Sequence, residues 1–195
     1  IVGNPPWVKY LWKEGGLISD FDPYIVVKDF SASDIAASRS TYLSNPKIRE
    51  TYIEEFTSTN GSLSYYNASQ NYLLLKGSQT NLYKCFLTKT WELGSRKGII
   101  GLLHPEGSYD DPNGGKLRSA MYFRLTSHYQ FQNELKLFQE VAHTHKYSVN
   151  IYRSVMQPEI RFDTVSNLFH PSTVDLCYLS DGAGLVPGIR NEEDK

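Results

Sequence analysis

Ile1-Val2-Gly3-Asn4-Pro5-Pro6-Trp7 opens the chain, and the reading of these seven residues decides the fold. A short apolar strand runs directly into a turn former, two prolines and an indole. Each proline fixes its own φ and restricts the residue before it, so the turn is stiff. Asn4 offers a side-chain carbonyl as acceptor, and Trp7 offers a flat apolar face. Ligands of open α/β sheets sit at the carboxyl ends of parallel strands, which is where this turn falls. Acceptors beside a stacking platform suit a planar base with an exocyclic amino group. Asn and Pro also make ordinary turns, so the motif needs support from the rest of the chain.

That support comes in order along the sequence. Asn81-Leu82-Tyr83-Lys84-Cys85-Phe86 reads as a helix, and Gly98-Ile99-Ile100-Gly101-Leu102-Leu103-His104-Pro105 reads as a second parallel strand. Gln132-Asn133-Glu134-Leu135-Lys136-Leu137-Phe138 and Lys146-Tyr147-Ser148-Val149-Asn150-Ile151-Tyr152 look like a closing antiparallel pair. Together with Asn-Pro-Pro-Trp, these segments resemble the adenine-specific amino-methyltransferases that act on DNA, in particular the large methylases of restriction-modification and phage-defence systems. The resemblance covers residues 1–152.

It implies an α/β fold, the C-terminal half of a Rossmann-like S-adenosylmethionine-dependent methyltransferase sheet, with parallel strands and a closing antiparallel pair. It further implies methylation of the adenine amino group in DNA. Asn4, Pro5, Pro6 and Trp7 become the catalytic residues: Asn4 Oδ1 and the Pro5 carbonyl grip the two amino protons, and Trp7 stacks on a base flipped from the duplex. Pro105 and Glu106 are expected to shape the base pocket. The family's Gly-rich cofactor loop, which precedes its Asn-Pro-Pro motif, has no counterpart here, so the cofactor-binding residues are unassigned. The chain is therefore expected to be a piece of a longer protein, inactive alone, with double-stranded DNA, a missing N-terminal half and a separate recognition domain as partners. Its implied location is the prokaryotic cytoplasm.

Lys+Arg of 20 against Asp+Glu of 21 leaves a net charge of -1, so no global basic field announces nucleic acid. Lys116, Arg118 and Arg124, read on one helix, are the candidates for DNA phosphate contacts. Hydrophobic content of 40% and aromatic content of 13% exclude a disordered chain. Two cysteines, Cys85 and Cys177, cannot build a disulfide framework. No apolar run reaches the length of a membrane span.

Residues 1–158 read as the partial catalytic domain, with 13–80 as a helical insertion or lid, and 159–195 as a connector toward a further domain. Within the insertion, Ser33 to Tyr42 and Lys47 to Phe56 read as helices, with Ser33 as a cap and Asn60-Gly61 as a breaker. Leu82 to Leu93 places Leu82, Phe86 and Leu87 inward and Lys84 on another face. Lys116 to His128 reads as an amphipathic helix, and Tyr129 to Leu137 as a strand. A half-built sheet leaves an apolar edge at Ile1-Val2, where self-association is expected.

Other chemistries have weaker footing. Asp110 or Asp111 with Glu134-Leu135-Lys136 echoes a nuclease metal site, but the pattern is short and falls in an expected strand. His143 and His145 alternate as metal ligands can, without a completing carboxylate or thiolate, so no metal is expected. Gly114-Gly115-Lys116 lacks the Ser or Thr of a phosphate loop. No Gly-x-Ser-x-Gly elbow is present. Against the methylase stands a non-catalytic DNA-binding or assembly module derived from one, which the near-zero charge and absent cofactor loop favour and the intact Asn-Pro-Pro-Trp opposes. Modification of an amino group on RNA or protein is a third reading.

Overall fold

A computed structural model describes residues 1–181. These divide into two units, one of residues 1–8 with those from 77 onward and one of residues 9–76. The first is mixed α/β, built on a five-stranded sheet with the spatial order β1-β2-β4-β3-β5. The strands are β1 (Val2–Gly3), β2 (Ile99–Pro105), β3 (Leu125–Gln132), β4 (Lys146–Arg153) and β5 (Asp163–Leu168). β1 is parallel to β2, β4 runs antiparallel between β2 and β3, and β5 is parallel to β3. One reversed strand among parallel ones fits half of a Rossmann-like sheet.

β1 is parallel as expected but not buried. Val2 is 92% exposed and Ile1 52%, because β1 is the sheet's edge and has β2 alone as a neighbour. Its register sets Val2 opposite Gly101 and Gly3 opposite Leu102, so β1 ends beside the middle of β2. The Asn-Pro-Pro turn therefore leaves the sheet beside Leu102, three residues before β2 ends at Pro105.

The second unit is helical: α1 (Glu14–Ser19), α2 (Tyr24–Val27), α3 (Ala32–Leu43) and α4 (Pro46–Asn67), followed by a 3-10 turn at Leu73–Leu75. Ile18, Ile25 and Ile35, with Phe30 and Tyr42 against them, form its core. Ser31 rather than Ser33 caps α3, in a reciprocal box with Asp34. α4 runs through Asn60-Gly61 instead of breaking there, and the Asn60 side chain donates to the Phe56 carbonyl one turn back.

In the α/β unit, α5 (Leu82–Leu93) has the bounds read from sequence, but its faces differ. Lys84 is buried and Phe86 is half exposed, because an ion pair with Asp111 draws the lysine inward. α6 (Gly107–Asp110) follows β2, and α7 (Gly115–Tyr122) is shorter than the helix read over Lys116 to His128. Leu117 and Met121 face inward, which suits an amphipathic helix, but Leu125, which continues that helical period, begins β3. Leu125 fits both periods, and the Thr, His and Tyr that follow it suit a strand.

At its other end β3 stops at Gln132 rather than Leu137. Asn133–Leu135 is a 3-10 turn, and Lys136 takes a left-handed conformation at φ 49. The Asn133 side chain bonds its own loop there and so competes with the ladder. Beyond Pro158, where a connector was read, β5 extends the sheet and α8 (Ser172–Leu179) follows. β5 is polar and mostly exposed, so its sequence carries little strand signal. Gly182, Gly184, Pro187, Gly188 and Arg190 to Lys195 lie outside the described residues.

Candidate functional site

The turn after β1 is exposed at Asn4 and buried at Pro5. Among the described residues, neither the Asn4 side chain nor the Pro5 carbonyl has a hydrogen-bond partner, so both acceptors are unspent. Trp7 is half-buried. Its ring packs on Phe138 at 5.2 Å and on Tyr147 at 5.9 Å between centroids, beside the cluster of Phe131, Tyr147 and Leu168. The indole is thus held by other rings, and its buried N–H has no partner. One residue on, the Val8 carbonyl accepts from Leu82 N–H at 3.0 Å and ties the turn's exit to the start of α5.

At the end of β2, Pro105 is buried opposite Tyr147, and Glu106 is buried at 7% exposure. Glu106 accepts from His128 Nε2 at 3.2 Å and from Gln130 Nε2 at 2.8 Å, and the Ser148 hydroxyl also bonds it. Burial alone would raise this carboxyl, but the three hydrogen bonds outweigh it and hold the group below its ordinary value. A carboxylate can only accept, so His128 Nε2 carries the proton and Nδ1 faces Thr164 Oγ1 at 3.0 Å. The bonds continue through Asn150 Nδ2, which donates to Ser148 Oγ at 2.8 Å, and Tyr109, which donates to Asn150 Oδ1 at 2.6 Å. Glu106 is therefore the hub of a network joining β2, β3, β4 and β5 rather than an open pocket wall.

His104, two residues earlier on β2, is fully buried between aromatic rings, stacked on Tyr83 at 5.3 Å. Its Nδ1 lies 2.9 Å from the Pro105 carbonyl and must donate, leaving Nε2 to accept from the Tyr152 hydroxyl at 3.0 Å. Burial pushes the imidazole down to about 4, so it is neutral at pH 7. Because the unfolded chain takes up the proton near pH 6.5 and the folded one does not, stability is full above that point and falls as pH drops toward 4. The expected loss is about 3 kcal/mol between pH 7 and pH 4. Denaturant titrations of wild type and His104→Gln, differenced at each pH, check it; a pH-independent difference would refute it.

Sequence reading passed over His128, Gln130, Ser148 and Asn150, though a signal existed. His104-x-Glu106, His128-x-Gln130 and Ser148-x-Asn150 each repeat at two residues, which puts each pair on one face of its strand. Alternating polar residues ordinarily mark a solvated face. Here the tyrosines of α5 and α6 cover them.

The three candidate phosphate contacts separate. Arg118 donates to the Tyr109 and Asp111 carbonyls, each at 3.0 Å. Arg124 donates to the Ala120 and Ser154 carbonyls and lies over the Trp91 ring at 4.6 Å. Both guanidinium groups are engaged inside the unit, while Lys116 is exposed. If the DNA binding expected from the sequence holds, Lys116→Ala reduces the slope of log K for DNA against log salt by about 1, whereas Arg124→Ala lowers thermal stability and leaves the slope unchanged. Equal slopes for wild type and Lys116→Ala would remove Lys116 from the interface.

Asp111 pairs with Lys84, and Glu134 pairs with His143 Nδ1 at 3.1 Å on the surface, so the acidic pattern noted with Lys136 does not converge. Among the described residues, no three His, Cys, Asp or Glu side chains gather as metal ligands. No helix of the described residues is long and apolar enough to cross a membrane.

No family model matches the chain, and no curated protein matches it. Among solved structures, it is similar to a chain in a cryo-EM structure of a DrdV–DNA complex, with 14% identity and a TM-score of 0.37, over 85% of this chain and 14% of that one. The chain thus spans about a seventh of that protein's length.

Proposed function

We propose that this chain carries the base-gripping part of a DNA adenine amino-methyltransferase of the restriction or phage-defence kind. The single supporting observation is the Asn4-Pro5 pair of unspent acceptors at the carboxyl end of strand β1, which lies parallel to β2. An aromatic amine is a poor nucleophile because its lone pair is delocalised into the ring. Asn4 Oδ1 accepts one amino proton and the Pro5 carbonyl accepts the other, which favours the pyramidal nitrogen and stabilises the charge that develops on it. Trp7, already clamped by Phe138 and Tyr147, needs no reordering to meet a flipped base.

S-adenosylmethionine is the cofactor this reading implies, and the described residues do not fit it. None of the parallel strands opens through a glycine-rich turn into a helix that could receive a nucleoside. β1 ends in Asn-Pro-Pro, β2 in Glu106-Gly107, β3 in the Asn133 turn and β5 in Phe169-His170-Pro171. On this reading the cofactor would be held by residues other than these. Transfer of a labelled methyl group from S-adenosylmethionine to mixed-sequence duplex DNA by the full-length protein tests the proposal. Label in the DNA is the expected result; none, with a folded protein that binds the cofactor and DNA containing its site, favours the non-catalytic module instead.

A further inference from the structure

The turn between β3 and β4 is organised by one side chain that the chemistry above does not use. Asn133 is fully buried. Its Nδ2 donates to the Phe138 and Val141 carbonyls, each at 2.8 Å, and its Oδ1 accepts from Phe138 N–H at 3.0 Å. Its own N–H donates to the His145 carbonyl at 3.0 Å, which closes the base of the loop. Both ends of the amide are therefore spent on one nine-residue arc. No isosteric side chain reproduces the set, since Asp lacks the two donors and Leu lacks both functions.

What the arc presents is Phe138, gripped at its N–H and its carbonyl by the same amide. Phe138 meets Trp7 at 5.2 Å and crosses Tyr147 edge-on at 4.9 Å. Trp7 follows two prolines, so its backbone is already stiff, and the rings against it set its side-chain orientation. The path from Asn133 to Trp7 runs through a single residue.

We propose that Asn133 is a positioning residue for the turn after β1: by clasping the Phe138 backbone it sets the ring that holds Trp7, and through it the aromatic wall beside Asn4. Its consequence for methyl transfer rests on the function proposed above; its structural half does not. The polar loop around it is exposed at Leu135, Lys136, Leu137 and His143, so the clasp fixes an otherwise solvated arc.

The test uses 5-fluorotryptophan. Trp7, Trp12 and Trp91 are the chain's three tryptophans, and the fluorine resonance that vanishes in Trp7→Phe belongs to Trp7. In Asn133→Ala that resonance is expected to move toward the free amino-acid position and narrow, while those of Trp12 and Trp91 stay in place and report an intact fold. Asn133→Asp, which keeps the acceptor, gives a smaller shift, and Phe138→Leu, which keeps the clasp, shifts Trp7 as far as Asn133→Ala does. A stationary Trp7 resonance in any folded Asn133 variant, or in Phe138→Leu, overturns the proposal. In the full-length protein the same Asn133→Ala change is expected to lower kcat by about tenfold or more with cofactor binding unchanged. Wild type without methyl transfer would sink the methylase reading alone, because the resonance shift stands apart from it.

Discussion

If the chain acts as proposed, Asn4→Ala cuts methyl transfer to DNA by a factor of about 10² to 10³ while leaving the melting temperature where it was. The two halves of that expectation have separate causes. Loss of one prepositioned partner for developing charge costs about 3 to 4 kcal/mol in the transition state. Stability is spared because Asn4 is exposed and its amide holds no partner that the substitution would orphan. Asn4→Asp retains an acceptor and is expected to keep more of the rate than Asn4→Ala. Kinetics of labelled transfer together with calorimetry check both parts. A full-rate Asn4→Ala enzyme, or a large loss of stability, would mean that the turn serves the fold instead.

The second large effect is on stability. Lys84 Nζ lies 2.6 Å from Asp111 Oδ2 and 2.7 Å from Ser78 Oγ, and the Ser78 hydroxyl also donates to Asp111. The side chains are 6% and 14% exposed, so this is a buried pair. Removing one partner of such a pair leaves an uncompensated charge and costs about 3 to 5 kcal/mol, which is the loss expected for Lys84→Ala in denaturant unfolding. Lys84→Met with Asp111→Leu is expected to recover much of it, since two well-packed apolar groups need no partners.

Acid reports on the same pair. Burial pushes the Asp111 carboxyl up, but Lys84, Ser78 and the Asn113 N–H together pull it down to about 2. A depressed carboxyl stabilises the fold above its unfolded value near 4, and the contribution disappears as pH falls through 2. About 2 kcal/mol is at stake. The acid-unfolding limb below pH 4 is expected to flatten in the double variant, and an unchanged limb would assign that titration to another group.

Much of the sheet was legible in the residues because its signals are local. Ile99 to Pro105 is an apolar run of strand length with alternate residues buried, and the bounds of Leu82 to Leu93 follow from its apolar run even though its faces do not. Where two periods coincide, as at Leu125, the sequence does not choose between helix and strand; the β4 ladder does. Asn133 reads as one polar residue in a strand-like run, and only the closed loop reveals that its amide is consumed by three backbone groups. Lys84 was misjudged for a related reason. A lysine on a helix is ordinarily solvated, and its partner Asp111 lies far along the chain, so no window of sequence contains both.

The candidate site divides in the same way. Asn4, Pro5 and Trp7 stand in one stiff, contiguous motif, so the sequence alone is enough to propose them as a site. The Glu106 network could not be assembled from sequence, since its members come from β2, β3, β4 and α6 and meet only through strand register. Arg118 and Arg124 illustrate the reverse error, two cations whose sequence suggests phosphate and whose donors end on carbonyls.

The central claim concerns where a methyl group goes. The most direct measurement is to incubate the full-length protein with S-adenosylmethionine and duplex DNA, digest the DNA to nucleosides and identify the methylated one by mass spectrometry. Methyl on the adenine exocyclic nitrogen, lost with Asn4→Ala, is the predicted result. Methyl on cytosine carbon, or none on DNA from a folded protein that binds cofactor and DNA containing its site, would contradict it.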